Sequence, residues 1–272
     1  MSVNRRAPLL AAFQFLSRFP VKTELDFTPE LLQKSTKHYP LVGAAIGTLV
    51  LGFSLLWQWA LPAMPAAALT LIVWVWMTGG LHLDGWMDSA DALLSYRSRA
   101  RMLEIMKDSR VGAMGVLCCV LLLLLKFTLI ESLLEQEQSP LAAAALITVP
   151  IWSRWFIAYA MTRWPAAKGR EGLAGLFSGL EGGTSGFAFG SALVLSAVPL
   201  VTSAAYMGAA ALNDWAPAIV LLVVQPIVSW GAGSWGARTM VRKLGGLTGD
   251  TYGALNEGVE AILLLTVLLL LH

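Results

Sequence analysis

Apolar residues run in seven stretches long enough to cross a bilayer, at approximately 41–61, 66–83, 111–130, 141–161, 187–207, 216–236 and 258–271. A hydrocarbon core of roughly 30 Å takes about 20 apolar residues per helix, and a backbone in lipid must satisfy its own hydrogen bonds. The pattern predicts an all-α, polytopic membrane protein of about seven transmembrane helices, the last stretch being the shortest. No internal repeat or low-complexity linker divides residues 1–272, so they read as one integral membrane domain: an N-terminal segment 1–40, then a bundle over 41–272. Within 1–40 the apolar piece 8–20 is broken by Gln14 and Arg18 and lacks a small-residue cleavage site, which argues against a signal peptide. Leu9, Phe13 and Leu16 share a face, the mark of an amphipathic helix lying in the interface.

The placement of charge orients this bundle. Lys and Arg number six in 1–40, five in 84–110, three in 162–186 (Arg163, Lys168, Arg170) and three in 237–257 (Arg238, Arg242, Lys243), against none in 62–65, 131–140 and 208–215. Basic loops resist translocation, so the N-terminus and these four segments belong in the cytoplasm. Composition adds that 57% of the chain is apolar and 13% charged, about half the charged share of a soluble domain. A net charge of +2 gives no basic excess and excludes a nucleic-acid partner; the expected surroundings are membrane lipid. Cys118 and Cys119, adjacent in an apolar run, suit neither a disulfide framework nor a zinc site. Lys126 and Arg154 read as lying near span ends, from which they would snorkel. Trp57, Trp59, Trp152, Trp155, Trp215 and Trp235 read as interfacial anchors. The small-residue run Gly43-Ala44-Ala45-Ile46-Gly47 allows close helix contacts, a homo-oligomer among them.

Candidate chemistry sits in three of the charged segments. In His82-Leu83-Asp84-Gly85-Trp86-Met87-Asp88-Ser89-Ala90-Asp91, the acids at i, i+4 and i+7 fall within an arc of about 60° on one helical face. Like charges so placed repel unless a cation neutralises them, and hard oxygen donors select Mg²⁺ or Mn²⁺. The plainer alternative is a solvated segment whose acids pair with Arg97, Arg99 or Arg101. His82 lies about 160° from Asp84 around a helix, better placed to orient the turn than to ligate metal. Next come Glu104 and Asp108, one turn apart, with Lys107 and Arg110 as cations that could clamp phosphate oxygens. In the third segment Gly245, Gly246, Gly249 and Gly253 let backbone amides approach an anion, Asp250 and Glu257 offer further metal oxygens, and Arg242 and Lys243 further cations. A tight turn with Asp250 as N-cap explains this stretch equally well. The loop 169–186, with seven glycines, suits a phosphate cradle or a lid. A metal site beside a phosphate clamp suits phosphoryl transfer, and ionisable residues crowded at one membrane face argue against a transporter, which would hold them near the midplane.

These motifs resemble the adenosylcobinamide-GDP ribazoletransferase, or cobalamin-5'-phosphate synthase, family. The likeness is carried by His82-Leu83-Asp84-Gly85 with Asp88 and Asp91, by Glu104-Ile105-Met106-Lys107-Asp108-Ser109-Arg110-Val111-Gly112, and by Gly245-Gly246-Leu247-Thr248-Gly249-Asp250-Thr251. It extends from Phe15-Leu16-Ser17-Arg18-Phe19-Pro20 through His38-Tyr39-Pro40-Leu41-Val42-Gly43 to Asn256-Glu257. Trp86-Met87 and Ala92 depart from the smaller aliphatic residues and the Gly common there, without removing a charge. The resemblance implies a Mg²⁺-dependent enzyme of the bacterial cytoplasmic (inner) membrane that joins α-ribazole or its 5'-phosphate to adenosylcobinamide-GDP and releases GMP, with other cobalamin-assembly enzymes as partners. On that footing Asp84, Asp88 and Asp91 hold the metal, with Glu104, Asp108, Asp250 and Glu257 as further candidates. Asp84, Asp108 and Asp250 are the catalytic candidates, and Lys107, Arg110, Arg242, Lys243 and His82 the substrate-binding ones. A CDP-alcohol phosphatidyltransferase is the runner-up, weakened because Asp88 and Ser89 occupy the Ala and Arg positions of that family's Asp-Gly-x-x-Ala-Arg element; a polytopic transporter is the other alternative.

Overall fold

The computed structural model describes residues 6–135, 139–167, 169 and 172–271, and its regular structure is helical. In chain order the helices are α1 (Ala7–Leu16), α2 (Pro29–Ser35), α3 (Tyr39–Ala60), α4 (Ala63–Thr78), α5 (Leu81–Leu93), α6 (Arg99–Ile105), α7 (Ala113–Glu135), α8 (Pro140–Arg163), α9 (Gly172–Gly175), α10 (Gly182–Tyr206), α11 (Leu212–Leu244) and α12 (Gly249–Leu271). Six are long and apolar enough to cross a membrane, and there are up to seven such spans if the bent pair α4–α5 is counted as one. Lys168 and Arg170 lie outside the described residues, as does the centre of the 131–140 loop.

The core is built on α8, which is buried along 89% of its apolar window against 28% for α7. Ser139 caps it by accepting from the Ala142 amide, and Pro140 occupies the first turn, where a missing N–H costs nothing. The small-residue stripe of α3 is spent on this helix. A Cβ on Gly43 would come within 2.3 Å of the Pro150 carbonyl oxygen, and one on Gly47 within 2.5 Å of that of Leu146. Two of the expected interfacial tryptophans also belong to the core: Trp152 and Trp155 are buried and meet edge to face at 5.5 Å, because the middle of α8 has protein on every side. Trp59 and Trp235 are exposed on the outside of the bundle.

The expected span over 66–83 is not one helix. Gly79 and Gly80 both take left-handed backbone angles, φ 67° and 73°, and the chain turns by 89° between α4 and α5. The Gly79 amide bonds to Trp76 and the Gly80 amide to Val75, a glycine-terminated helix end. Leu81 and Leu83 continue the apolar run across the break, so hydropathy alone does not register it. Beyond the turn α5 runs antiparallel to α12, with His82 opposite Gly253 and Asn256, and Gly85 opposite Asp250.

The N-terminal helix is also more than an interfacial strap. Ala11, Ala12 and Leu16 are buried, and Phe15 packs on Tyr39 and Phe177 with ring centroids 6.4 and 6.3 Å apart. Its apolar face finds aromatic partners at the basic end of the bundle, and the Arg18 amide bonds to the Met77 carbonyl just before the break.

Lys126 and Arg154 do not snorkel. Lys126 stands 13 positions into α7, roughly 20 Å along a helix rising 1.5 Å per residue, too deep to reach either surface. Its Nζ donates to Glu257 at 2.9 Å and Glu260 at 2.5 Å, and lies 4.7 Å from the centre of the Trp74 ring. Arg154 pairs with the other oxygen of Glu260, which also accepts from Ser153. All four ionisable side chains are buried, and two cations balance two anions.

Candidate functional site

Helix α5 presents the acids on one face, as the spacing predicts. Glycine at position 85 is what brings that face to α12: a Cβ there would lie 2.5 Å from the Asp250 carbonyl oxygen. Asp84 and Asp250 consequently line one small cavity of about 70 Å³, together with His82, Phe15, Leu173 and Tyr252. The negative charges of Asp84, Asp250 and Asp91 all bear on Asp88.

Asp91, expected among the metal ligands, has a separate task. Its two carboxylate oxygens accept from the Gly112 amide at 2.7 Å and the Gly115 amide at 2.8 Å, so it caps the start of α7 from outside the helix. A Cβ at either glycine would collide with that carboxylate, at 2.4 and 2.5 Å. Glu104 pairs with Arg101 at 2.7 Å on the surface, and Glu257 belongs to the buried charge layer two turns along α12 from Asp250. Among the described residues no three His, Cys, Asp or Glu side chains group closely enough to hold a metal by themselves. The seven proposed ligands thus do not converge; of them Asp84 and Asp250 line one cavity, and the charges of both bear on Asp88.

The cations sort in the same way. Arg110 grips Asp108 through two side-chain hydrogen bonds of 3.0 and 2.7 Å, and with the Arg110 amide this holds the Asp108 carboxyl down to about 2. Lys243 donates to the Leu93 carbonyl at 3.1 Å, placing its charge on the negative end of α5. Arg242 reaches Thr239. Arg99 donates to the Ala167 carbonyl and lies so close over Gly245 that only glycine, at φ 75°, fits there. Of the arginines that could have neutralised α5, Arg101 turns to Glu104 and Arg99 to backbone, and, among the described residues, Arg97 forms no ion pair with the acids of α5. Lys107 is the candidate that stays at the site, sharing a cavity of about 190 Å³ with Thr248, Gly249 and Asp250.

The glycine-rich segments are shaped by backbone pairing. Leu247 donates to Pro165 and accepts from Ala167, both at 2.8 Å, which stitches 165–167 to 245–248. Thr248 and Thr251 cap the start of α12 by exchanging hydroxyl–amide bonds of 2.7 and 3.2 Å, a job the sequence had suggested for Asp250. Leu173, just after the loop's first described turn, sits against Gly249 and walls both small cavities. The 169–186 segment is in part a wall of the site: Ala174 and Phe177 are buried, and Gln33 donates to the Leu176 and Ser178 carbonyls. A larger cavity of about 860 Å³ lies at the opposite end of the bundle with no charged side chain in its lining, and has no part in this chemistry.

His82 is buried beside Asp84, and its Nδ1 lies 3.1 Å from Asn256 Nδ2, which also donates to Glu260 at 3.2 Å. The histidine thus ties the acidic face to the charge layer and orients the turn. Asn256 and Glu260 carry this link, and neither was singled out from sequence as a functional side chain. The signal was available: acids three apart in an apolar run, with lone cations in two other apolar runs, call for pairing.

The profile of the family described as cobalamin-5-phosphate synthase matches residues 8–268. The chain belongs to this family. It is 38% identical over 259 residues to a protein of Brevibacillus brevis named adenosylcobinamide-GDP ribazoletransferase, covering 95% of this chain and 96% of the relative. A Pseudomonas syringae pv. syringae protein of the same name is 40% identical over 267 residues, covering 97% and 99%. A third, from Desulforamulus reducens, is 36% identical over 262 residues, covering 96% of each. No solved structure matches. For this cobalamin-5-phosphate synthase family member, the premise used against a transporter does not hold, since a broken helix pair and a buried charge layer both lie within the bundle. The family match carries that distinction instead.

Proposed function

We propose that this protein joins α-ribazole, or its 5'-phosphate, to adenosylcobinamide-GDP with release of GMP, the last assembly step of the cobalamin nucleotide loop. The site would face the cytoplasm from the bacterial inner membrane, as the basic segments around it suggest. The observation that carries this reading is the meeting of Asp84 and Asp250 in one cavity, forced by the Gly85 contact, with Lys107 in the cavity next to it.

A divalent cation suits these residues. Mg²⁺ is ordinarily held by one or two carboxylates plus water and substrate phosphate, so it does not need a closed cage, and acids repelling one another on α5 gain from a cation. Asp84 and Asp250 would hold it, with Asp88 behind them; once bound it would neutralise charge on the diphosphate and on the departing GMP. In the transfer the ribazole 3'-hydroxyl oxygen bonds to the phosphorus next to cobinamide, the bond from that phosphorus to the oxygen bridging to GMP breaks, and the hydroxyl proton leaves to a carboxylate. Asp108, held near 2 by Arg110, is a weak base, which favours Asp250 for that proton. Lys107 would bind phosphate oxygens, and His82 and Asn256 would hold the Asp84 turn in place.

Purified protein given adenosylcobinamide-GDP, α-ribazole 5'-phosphate and Mg²⁺ should release one GMP per corrinoid product. Failure to form GMP would overturn the reading. Release of CMP from a CDP-alcohol substrate would favour the phosphatidyltransferase alternative.

A further inference from the structure

Next to the carboxylate cavity is a roomier one of about 460 Å³ that the roles given so far do not use. It shares Met161 and Tyr252 with the Asp84–Asp250 cavity, so the two lie side by side. Its volume falls in the range of small-molecule sites, roughly 300–1,000 Å³. One wall is Trp164, held by Tyr159 edge to face at 5.8 Å and by Phe156 at 6.2 Å. The facing wall is the 177–180 turn, fixed by the Gln33 bond to Ser178 and by the burial of Phe177. Arg163 stands at the mouth, exposed, and no hydrogen bond or ion pair joins its side chain to another described residue.

We infer that this cavity seats the acceptor nucleotide, its flat base against Trp164 and its 5'-phosphate on Arg163, so that Arg163 sets the preference for the phosphorylated acceptor. The assignment rests on the function proposed above. Geometry favours the acceptor over the guanine nucleotide. The 5'-phosphate and the 3'-hydroxyl project from different sides of a ribose, so a phosphate held at the mouth leaves the hydroxyl directed inward toward Asp84 and Asp250. The diphosphate instead has Lys107, in the cavity on the other side of Asp250. Arginine suits a terminal phosphate because its planar fork donates two parallel hydrogen bonds, and a ring held by its neighbours is a ready stacking surface. A basic residue serving only to orient α8 in the membrane would account for the charge at 163, but not for its place in the lining of a cavity that also holds Trp164, Phe177 and Tyr252.

Arg163→Gln separates these roles because the two acceptors differ by one phosphate. GMP release is measured with the wild type and the variant at varied α-ribazole 5'-phosphate and, separately, varied α-ribazole. kcat/KM for the phosphorylated acceptor should fall 10- to 100-fold, kcat/KM for α-ribazole should stay within about twofold, and Arg163→Lys should recover part of the loss. Trp164→Leu should raise KM for both acceptors together, with KM for adenosylcobinamide-GDP unchanged. An equal fall for both acceptors in Arg163→Gln, or a rise confined to the KM of adenosylcobinamide-GDP, would overturn the assignment while leaving the proposed function standing. No GMP from the wild type with either acceptor would overturn the proposed function and this assignment with it.

Discussion

The charge layer of Lys126, Arg154, Glu257 and Glu260 and the acidic face of Asp84, Asp88 and Asp250 are joined through one histidine–asparagine contact, yet they handle charge in opposite ways. In the layer, two cations and two anions bond to one another out of contact with water, and the net charge is zero. On the face the charges of Asp84, Asp250 and Asp91 bear on Asp88, and Lys107 lines the cavity beside Asp250, while Arg101, Arg110, Arg99 and Lys243 are turned to Glu104, Asp108, the Ala167 carbonyl and the Leu93 carbonyl. A balanced buried set is complete as it stands, and removing one member leaves an uncompensated charge. Acids that repel one another at a cavity gain from a bound cation. The first is therefore assigned to architecture and the second to chemistry.

Breaking the face should cost activity and spare the fold. Asp84→Asn is expected to lower the rate of GMP release at least about 10³-fold, some 4 kcal/mol of barrier, while thermal unfolding in detergent shifts by no more than a few degrees. An Asp84→Asn enzyme of near-normal rate would remove the carboxylate from the mechanism. Breaking the layer should do the reverse. Lys126→Met leaves Glu257 and Glu260 with one cation between them and should destabilise the protein by about 3–5 kcal/mol, read as a fall in unfolding midpoint and in yield. Adding Glu257→Gln should return much of that loss, since the pair then leaves together. If Lys126→Met unfolds like the wild type, the layer is not the structural element described.

Asp91 stands between the two groups, being an acid of the α5 face that works as a cap. Gly115→Ala puts a methyl within 2.5 Å of its carboxylate and 2.9 Å of the Met87 carbonyl. A stability loss of about 1–2 kcal/mol is expected, the usual size for a lost cap, with a smaller effect on rate than Asp84→Asn; a rate loss as large as that of Asp84→Asn would return Asp91 to the reacting centre. The smallest effect belongs to Asp108. Its folded pKa lies below the ordinary carboxylate value, so the contribution of its pair with Arg110 is complete above that ordinary value and is lost only as pH falls toward about 2. The rate profile between pH 5 and 9 should therefore show no Asp108 limb, and Asp108→Asn should leave its shape unchanged. Loss of an acid limb in that variant would identify Asp108 as the base after all.

The two regions were unequally legible in the sequence. The acidic face could be read because 100° per residue is a local property: Asp84, Asp88 and Asp91 share a face whatever packs against it. Which of them stays available was not legible, because Asp91 is claimed by amides 21 and 24 residues away. The charge layer was missed because depth was judged from approximate span ends, whereas Lys126 is mid-helix and its partners come from α12. Hydropathy likewise placed six spanning helices near where they lie, but in the seventh stretch it ran over the Gly79–Gly80 break, since Val75, Trp76 and Met77 before it and Leu81 and Leu83 after it are all apolar. Gly43 and Gly47 announced a close helix contact without naming the partner, which is α8 of the same chain.

The central claim is that the acidic face of α5 and Asp250, and not the buried charge layer, binds the divalent cation. Titrating the detergent-purified protein with Mn²⁺ and following the free ion by electron paramagnetic resonance tests it most directly. Wild type and Lys126→Met/Glu257→Gln should bind Mn²⁺ alike, with Mg²⁺ competing, whereas Asp84→Asn/Asp250→Asn should leave the ion free. Full binding by the Asp84→Asn/Asp250→Asn protein, or its loss in the layer variant alone, would contradict the account.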